Sequence, residues 1–108
     1  MSLRLPKPIA LFFTVEHSDN PGDLAACFAA DATVLDEGRI FEGLAAIKEW
    51  NAGTKKKYNH TIEPLEAEER DGKTVVKSKV SGNFPGSPVT LEFSFGLNGD
   101  KVASLEIH

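Results

Sequence analysis

Ala32-Thr33-Val34-Leu35-Asp36-Glu37-Gly38-Arg39-Ile40-Phe41-Glu42 is the stretch where the chain changes character. Two short β-prone pieces flank Glu37-Gly38, so the segment reads as a hairpin with Asp36 at the end of its first strand. Upstream, apolar residues recur at helical offsets; downstream, after one more helix, they recur every second residue. The hairpin is therefore the seam of an α+β chain, with helices before it and strands after it.

Working outward toward the start, Pro6 and Pro8 precede Ile9–His17, in which Ile9, Phe12, Phe13 and Glu16 fall at helical spacing. Proline near a helix start is favourable because its missing N–H would lack a partner there in any case. Ser18-Asp19-Asn20-Pro21-Gly22 reads as a turn, with Asn20 or Asp19 capping a short second helix, Asp23–Phe28, that buries Leu24, Cys27 and Phe28. On the other side of the hairpin Gly43 opens a third helix, whose stripe is Leu44, Ile47 and either Ala46 or Trp50. Gly53 and Lys55-Lys56-Lys57 mark its end, the lysines suiting the negative end of a helix dipole as a solvated terminus rather than a phosphate clamp. From Tyr58 the period is two: Tyr58, His60 and Ile62 alternate with Asn59, Thr61 and Glu63 up to the turn dipeptide Asp71-Gly72. Strands Lys73–Phe84, Val89–Leu97 and Lys101–His108 follow, separated by the stiff Gly82–Pro88 connection and by Asn98-Gly99-Asp100. Val76 and Val80 face one way and Lys77 and Lys79 the other, so one face of the sheet is wet.

The totals bound the function. With 108 residues, 41% of them hydrophobic, the chain is read as a single domain spanning 1–108 that builds a core without staples. A net charge of −4, mixed along the chain, leaves no basic footprint for a nucleic-acid partner. The apolar run Ile9–Phe13 is too short for a membrane span or a signal core, and the expected location is cytoplasmic. Cys27 is the only cysteine, which excludes an internal disulfide and paired-thiolate metal sites. Three histidines with no close His and carboxylate spacing argue against a dedicated metal site. There is neither a Gly-rich phosphate loop nor a nucleophile elbow.

Phe28-Ala29-Ala30-Asp31-Ala32-Thr33-Val34-Leu35-Asp36-Glu37-Gly38, then Phe41-Glu42-Gly43 with Ala46-Ile47-Lys48-Glu49-Trp50, resembles the nuclear transport factor 2-like superfamily, and within it the SnoaL-like and ketosteroid-isomerase-like proteins. The order of elements extends the resemblance over essentially the whole chain. It implies a cone-shaped, curved antiparallel or mixed sheet packed against the three helices, enclosing a hollow. It also implies that Asp36 matches the base that moves a proton beside a carbonyl in ketosteroid isomerase, where a tyrosine and a protonated aspartate stabilise the enolate. Those two donor positions fall at or near Phe12 and Phe93 here, and neither phenylalanine donates a hydrogen bond. The loss of pre-organised donors speaks against steroid isomerase chemistry in its familiar form. Members of the superfamily often pair through the outer sheet face, which makes a homodimer the expectation. Thr90, Glu92, Ser94, Lys77 and Lys79 give that face a polar, charge-paired character.

Two readings of Asp36 stand side by side. An acid in an apolar hollow has its charged form disfavoured, which moves it toward the range of a general base; an acid beside Glu37-Gly38 can instead satisfy the N–H groups of the turn. His60 is placed to share the apolar face and pair with Asp36 as acid and base, or to be a structural strand histidine. Phe12, Trp50, Tyr58, Phe84 and Phe93 are candidate ligand contacts that serve equally as core. Asn83, before the rigid Phe84-Pro85 turn, is placed to orient a ligand carbonyl at the mouth or to bond its own backbone. Two functions follow. One is a SnoaL-like or isomerase-like enzyme using Asp36 on a small apolar carbonyl compound without a cofactor; the other is a non-catalytic ligand-binding or assembly module.

Overall fold

The structure is a computed structural model that describes residues 5–16, 24–58 and 60–108, with the side chains of 16, 55, 57 and 58 outside the description. The expected turn over 18–22 with its cap at residue 19 or 20, and His17, lie outside the described residues.

Helix α1, Lys7–Glu16, begins where the Pro6 carbonyl accepts from the N–H groups of Ile9 (3.0 Å) and Ala10 (2.9 Å), so both prolines sit where no intrahelical donor is lost. Its buried face carries Ile9, Phe12, Phe13 and Val15. Helix α2, Leu24–Cys27, is tied to α1 by the Cys27 thiol, which donates to the Pro8 carbonyl at 3.3 Å. Phe28, expected to end that helix, instead starts strand β1, Phe28–Asp36.

The hairpin forms as the sequence indicates. Asp36 pairs with Arg39 across Glu37 (φ 54°) and Gly38 (φ 75°), two positive-φ residues whose twist matches that of the flanking strands, β1 and β2 (Arg39–Glu42). Gly43 follows at φ 86°, donates its N–H to the Ala32 carbonyl at 2.9 Å, and accepts from Ile47 at 3.0 Å as the cap of helix α3, Leu44–Tyr58. An L side chain in that conformation would be strained, which is why glycine marks the entry. α3 runs through Gly53 and the three lysines that mark its end, and stops at Tyr58. Glycine weakens a helix by about 1 kcal/mol without stopping it, and the stripe of Ile47, Trp50, Asn51 and Thr54 carries the packed face on for another turn. Tyr58 is accordingly the last helical residue and not the first of a strand.

Strands β3 (Thr61–Arg70), β4 (Lys73–Ser81), β5 (Val89–Asn98) and β6 (Lys101–Ile107) complete one six-stranded sheet of order β2-β1-β6-β5-β4-β3. All neighbours are antiparallel except β1 and β6, so the sheet is mixed. Pro64, which cannot donate to a ladder, is accommodated on the edge strand β3 at a register shift. The three helices lie against the sheet face that carries Val34, Val76, Phe93, Phe95 and Leu105, all buried. Phe12 is the hub of this core: its ring meets those of Phe13, Phe28, Phe93 and Phe95 at centroid separations of 5.2, 5.9, 6.1 and 5.4 Å. Such pairs contribute about 0.5–1.5 kcal/mol each beyond their buried area. The opposite face is polar, with Arg70 bonded to Glu68 and to Glu92 (3.4 Å), Lys73 to Glu106 (3.5 Å) and Lys77 to Glu66 (3.8 Å).

Candidate functional site

Strand alternation sets the position of the acid. Ala32, Val34 and Asp36 leave β1 on the same face, and Val34 is in register with Leu105 of β6, so Asp36 emerges beside Ile107 just past the sealed core. There the helical layer and the sheet part to leave a cavity of about 430 Å³. Asp36 and Glu37 border it from the hairpin, Trp50 and Thr54 from α3, and His60 from the approach to β3. The rest of the wall is apolar apart from His108: Ile62, Val80, Phe84, Val89, Leu91, Phe93 and Ile107, from β3 to β6 and the connection that carries Phe84.

A few polar groups are thus set in a largely hydrocarbon lining, the usual make-up of a small-molecule site. The Trp50 indole N–H donates to Oδ2 of Asp36 at 2.9 Å. Burial holds the Asp36 carboxyl above its ordinary value of 3.8; the Trp50 hydrogen bond opposes that rise, the Glu37 charge adds to it, and the Glu37 backbone N–H and the nearby His60 oppose it. Desolvation is the largest of these influences, and the Trp50 indole is the largest that opposes it. The Glu37 backbone N–H of the turn and the burial of the hollow act on the same carboxyl in opposite directions.

Asp36, His60, Trp50, Phe84 and Phe93 are brought together around this cavity. Phe12 is not: it is fully buried in the aromatic core, one layer behind Phe93, because four neighbouring rings enclose it. Asn83 is exposed and is not among the lining residues. Its connection folds around Ser87, whose hydroxyl accepts from the Gly82 N–H at 2.9 Å, and the apolar Phe84 is the side chain that takes the inward place. The Tyr58 side chain lies outside the described residues. Thr54 and Glu37 were not singled out from the sequence. Thr54 stands one helical turn after Trp50 on the same face of α3; Val89 and Leu91 share the two-residue alternation of Phe93. Ile107 needs the parallel β1 and β6 pairing, which no local pattern announces. Among the described residues no group of three or more His, Cys, Asp or Glu stands ready to hold a metal ion, and no helix is long and apolar enough to cross a membrane.

No family model matches the sequence, and no curated protein matches it closely. Solved structures do. The crystal structure of a candidate polyketide cyclase from Sinorhizobium meliloti is 40% identical, with 96% of this chain and 95% of that one covered, at a TM-score of 0.92. A protein of ketosteroid isomerase-like fold from Catenulispora acidiphila, solved in complex with trimethylamine, is 20% identical over 97% of this chain and 86% of its own, at a TM-score of 0.82. A SnoaL-like candidate polyketide cyclase from Jannaschia is 13% identical over 100% of this chain and 90% of its own, at a TM-score of 0.74. The last two share the fold alone. With a relative at 40% identity along almost its full length, the chain belongs to the same family as that candidate polyketide cyclase, and its mixed sheet capped by three helices is the nuclear transport factor 2-like fold that the ketosteroid isomerase-like and SnoaL-like structures share.

Proposed function

We propose that this protein is a cofactor-independent enzyme of the isomerase or cyclase type, with Asp36 as general base on a small, mostly apolar carbonyl compound. The observation that carries the reading is a carboxyl raised above its ordinary value in the wall of a largely apolar cavity. The names of two of the similar structures agree in kind, both candidate polyketide cyclases. Among the described lining residues there is neither Lys nor Arg, while Asp36 and Glu37 are acids, which favours an uncharged substrate over an anionic one.

In this mechanism Asp36 takes a proton from the carbon beside the carbonyl, and the C–H electron pair moves to form the enolate. His60, on the opposite wall, supplies a proton to the oxygen that gains the charge, in place of the donors that Phe12 and Phe93 do not provide. Return of the Asp36 proton to another carbon, as the oxygen gives its proton back to His60 and the carbonyl re-forms, completes an isomerisation; in a ring closure the enol carbon attacks a second carbonyl instead, whose oxygen takes the proton held by Asp36 while His60 recovers the one it gave.

The test is deuterium incorporation from D2O into a panel of small ketones and 1,3-dicarbonyl compounds, followed by NMR. The wild type is expected to accelerate exchange for at least one of them, and Asp36→Asn to lose about 10²–10⁴-fold of that rate. Equal rates in the two proteins remove Asp36 as the base. Saturable binding with no exchange across the panel favours the ligand-binding module instead.

A further inference from the structure

Trp50 is on the face of α3 that meets the hairpin, it is buried, and its only hydrogen-bond donor is spent on Asp36 Oδ2. Its ring is braced from the other side by Phe41 of β2, at a centroid separation of 6.4 Å and an interplanar angle of 41°. Phe41 in turn lies under the Arg39 guanidinium, 5.5 Å from the ring centre. The orientation of the indole is thus set by the packing of α3 on the hairpin, before any substrate enters. A donor held this way directs the carboxylate instead of following it.

We propose that Trp50 is a positioning residue for Asp36: its indole N–H fixes one carboxylate oxygen so that the acid meets the cavity in a single orientation, and Trp50 is not itself a hydrogen-bond donor to substrate. This assigns Trp50 a different part from the ligand contact that its place in the sequence implies. Its catalytic consequence rests on the general-base reading above; the hydrogen bond and its effect on the carboxyl do not.

The charged surroundings of Asp36 are few. Glu37 follows it in the turn, His60 faces it from the approach to β3, and Arg39 is its partner across the hairpin, with the guanidinium on Phe41. His108, after β6, also borders the cavity, with its ring nitrogen 3.4 Å from Glu106. α3 contributes Trp50 and Thr54 to the lining and no titratable group among the described residues. Of these influences, the Trp50 hydrogen bond is the strongest that favours the ionised carboxylate.

The chain has one tryptophan, so a ¹H–¹⁵N spectrum contains one indole cross-peak, a reporter that needs no substrate. The expected result is that this peak moves with pH along the same curve as the Asp36 carboxyl carbon, and that Asp36→Asn abolishes the movement. In Trp50→Phe, which keeps a ring against Phe41 and removes the donor, the Asp36 titration shifts to higher pH. If the enzyme turns over a substrate, kcat of that variant falls roughly tenfold with KM little changed, as for the loss of one charge-assisted hydrogen bond, and the acid limb of its pH profile moves upward with the carboxyl. A merely structural role lowers stability without moving either titration. An indole peak indifferent to the Asp36 titration, or a Trp50→Phe carboxyl that titrates where the wild type does, overturns the proposal. Should Trp50→Phe fail to fold, the wild type and Asp36→Asn decide on their own. Failure of every substrate to exchange deuterium leaves these spectra unaffected, so the two readings fall separately.

Discussion

Asp36 is in a conflict that shapes what substitution there does. Burial opposes its ionised form, and the Trp50 and Glu37 N–H groups and His60 compensate only in part, so the folded-state carboxyl titrates above its ordinary value of 3.8. For an acid raised in this way the native state takes up its proton first as pH falls, and the stability associated with the group is lost as pH rises from 3.8 through the folded-state value. Asp36→Asn, which keeps an oxygen for the Trp50 donor, is therefore expected to raise the urea midpoint at pH 7. The gain should shrink as pH is lowered toward 4, where the wild-type acid is itself becoming neutral. A midpoint difference that stays constant with pH, or favours the wild type at pH 7, contradicts this. Stability gained with activity lost is the ordinary signature of an acid kept in a poor environment for its chemistry.

At the scale of elements, α3 shows how tertiary packing overrides a local stop signal. Gly53 is helical, exposed, and has nothing within 4 Å of where a Cβ would stand. It contributes flexibility to the unfolded chain and no contact to the folded one. Gly53→Ala is expected to stabilise the protein by about 0.5–1 kcal/mol, read as a higher denaturant midpoint with an unchanged slope. Destabilisation would mean that the last turn of α3 bends away from helical geometry. The hairpin behaves oppositely: Gly38 and Gly43 occupy positive φ, fix the exit of β1 and the entry of α3, and so set the separation between Asp36 and Trp50.

At the scale of the whole molecule the two faces of the sheet have separate chemistry. One face holds the aromatic core and, beyond it, the cavity; the other carries charges paired across strands. Exposed ion pairs of this kind contribute about 0–1 kcal/mol each, so they define a surface more than they hold the fold. We propose a second copy of the chain as the partner of that surface, on the superfamily resemblance. Light scattering at micromolar concentration should return twice the mass of one chain; a single-chain mass contradicts the dimer.

Local physics in the sequence determined a good deal. Positive-φ glycines, prolines in the first turn of α1, and the change of period from 3.6 to 2 each act over a few neighbouring residues, so the α+β class, the hairpin, the β3 and β4 turn at Asp71-Gly72 and the alternation of β5 were all legible. The acid at the end of β1 was legible for the same reason, since its place is fixed by a two-residue turn. Only the tertiary structure decided what surrounds it. That β6 inserts parallel to β1 and sets Ile107 beside Asp36 is a pairing between distant segments, and its energy comes from burying both strands between partners. That Phe12 lies in the core rather than in the cavity depends on rings from α1, β1 and β5 converging on it, and that Trp50 gives its N–H to Asp36 depends on α3 packing against the hairpin. Each of these is a contact across long stretches of chain, with a free energy that exists only once the sheet and helices have closed on one another.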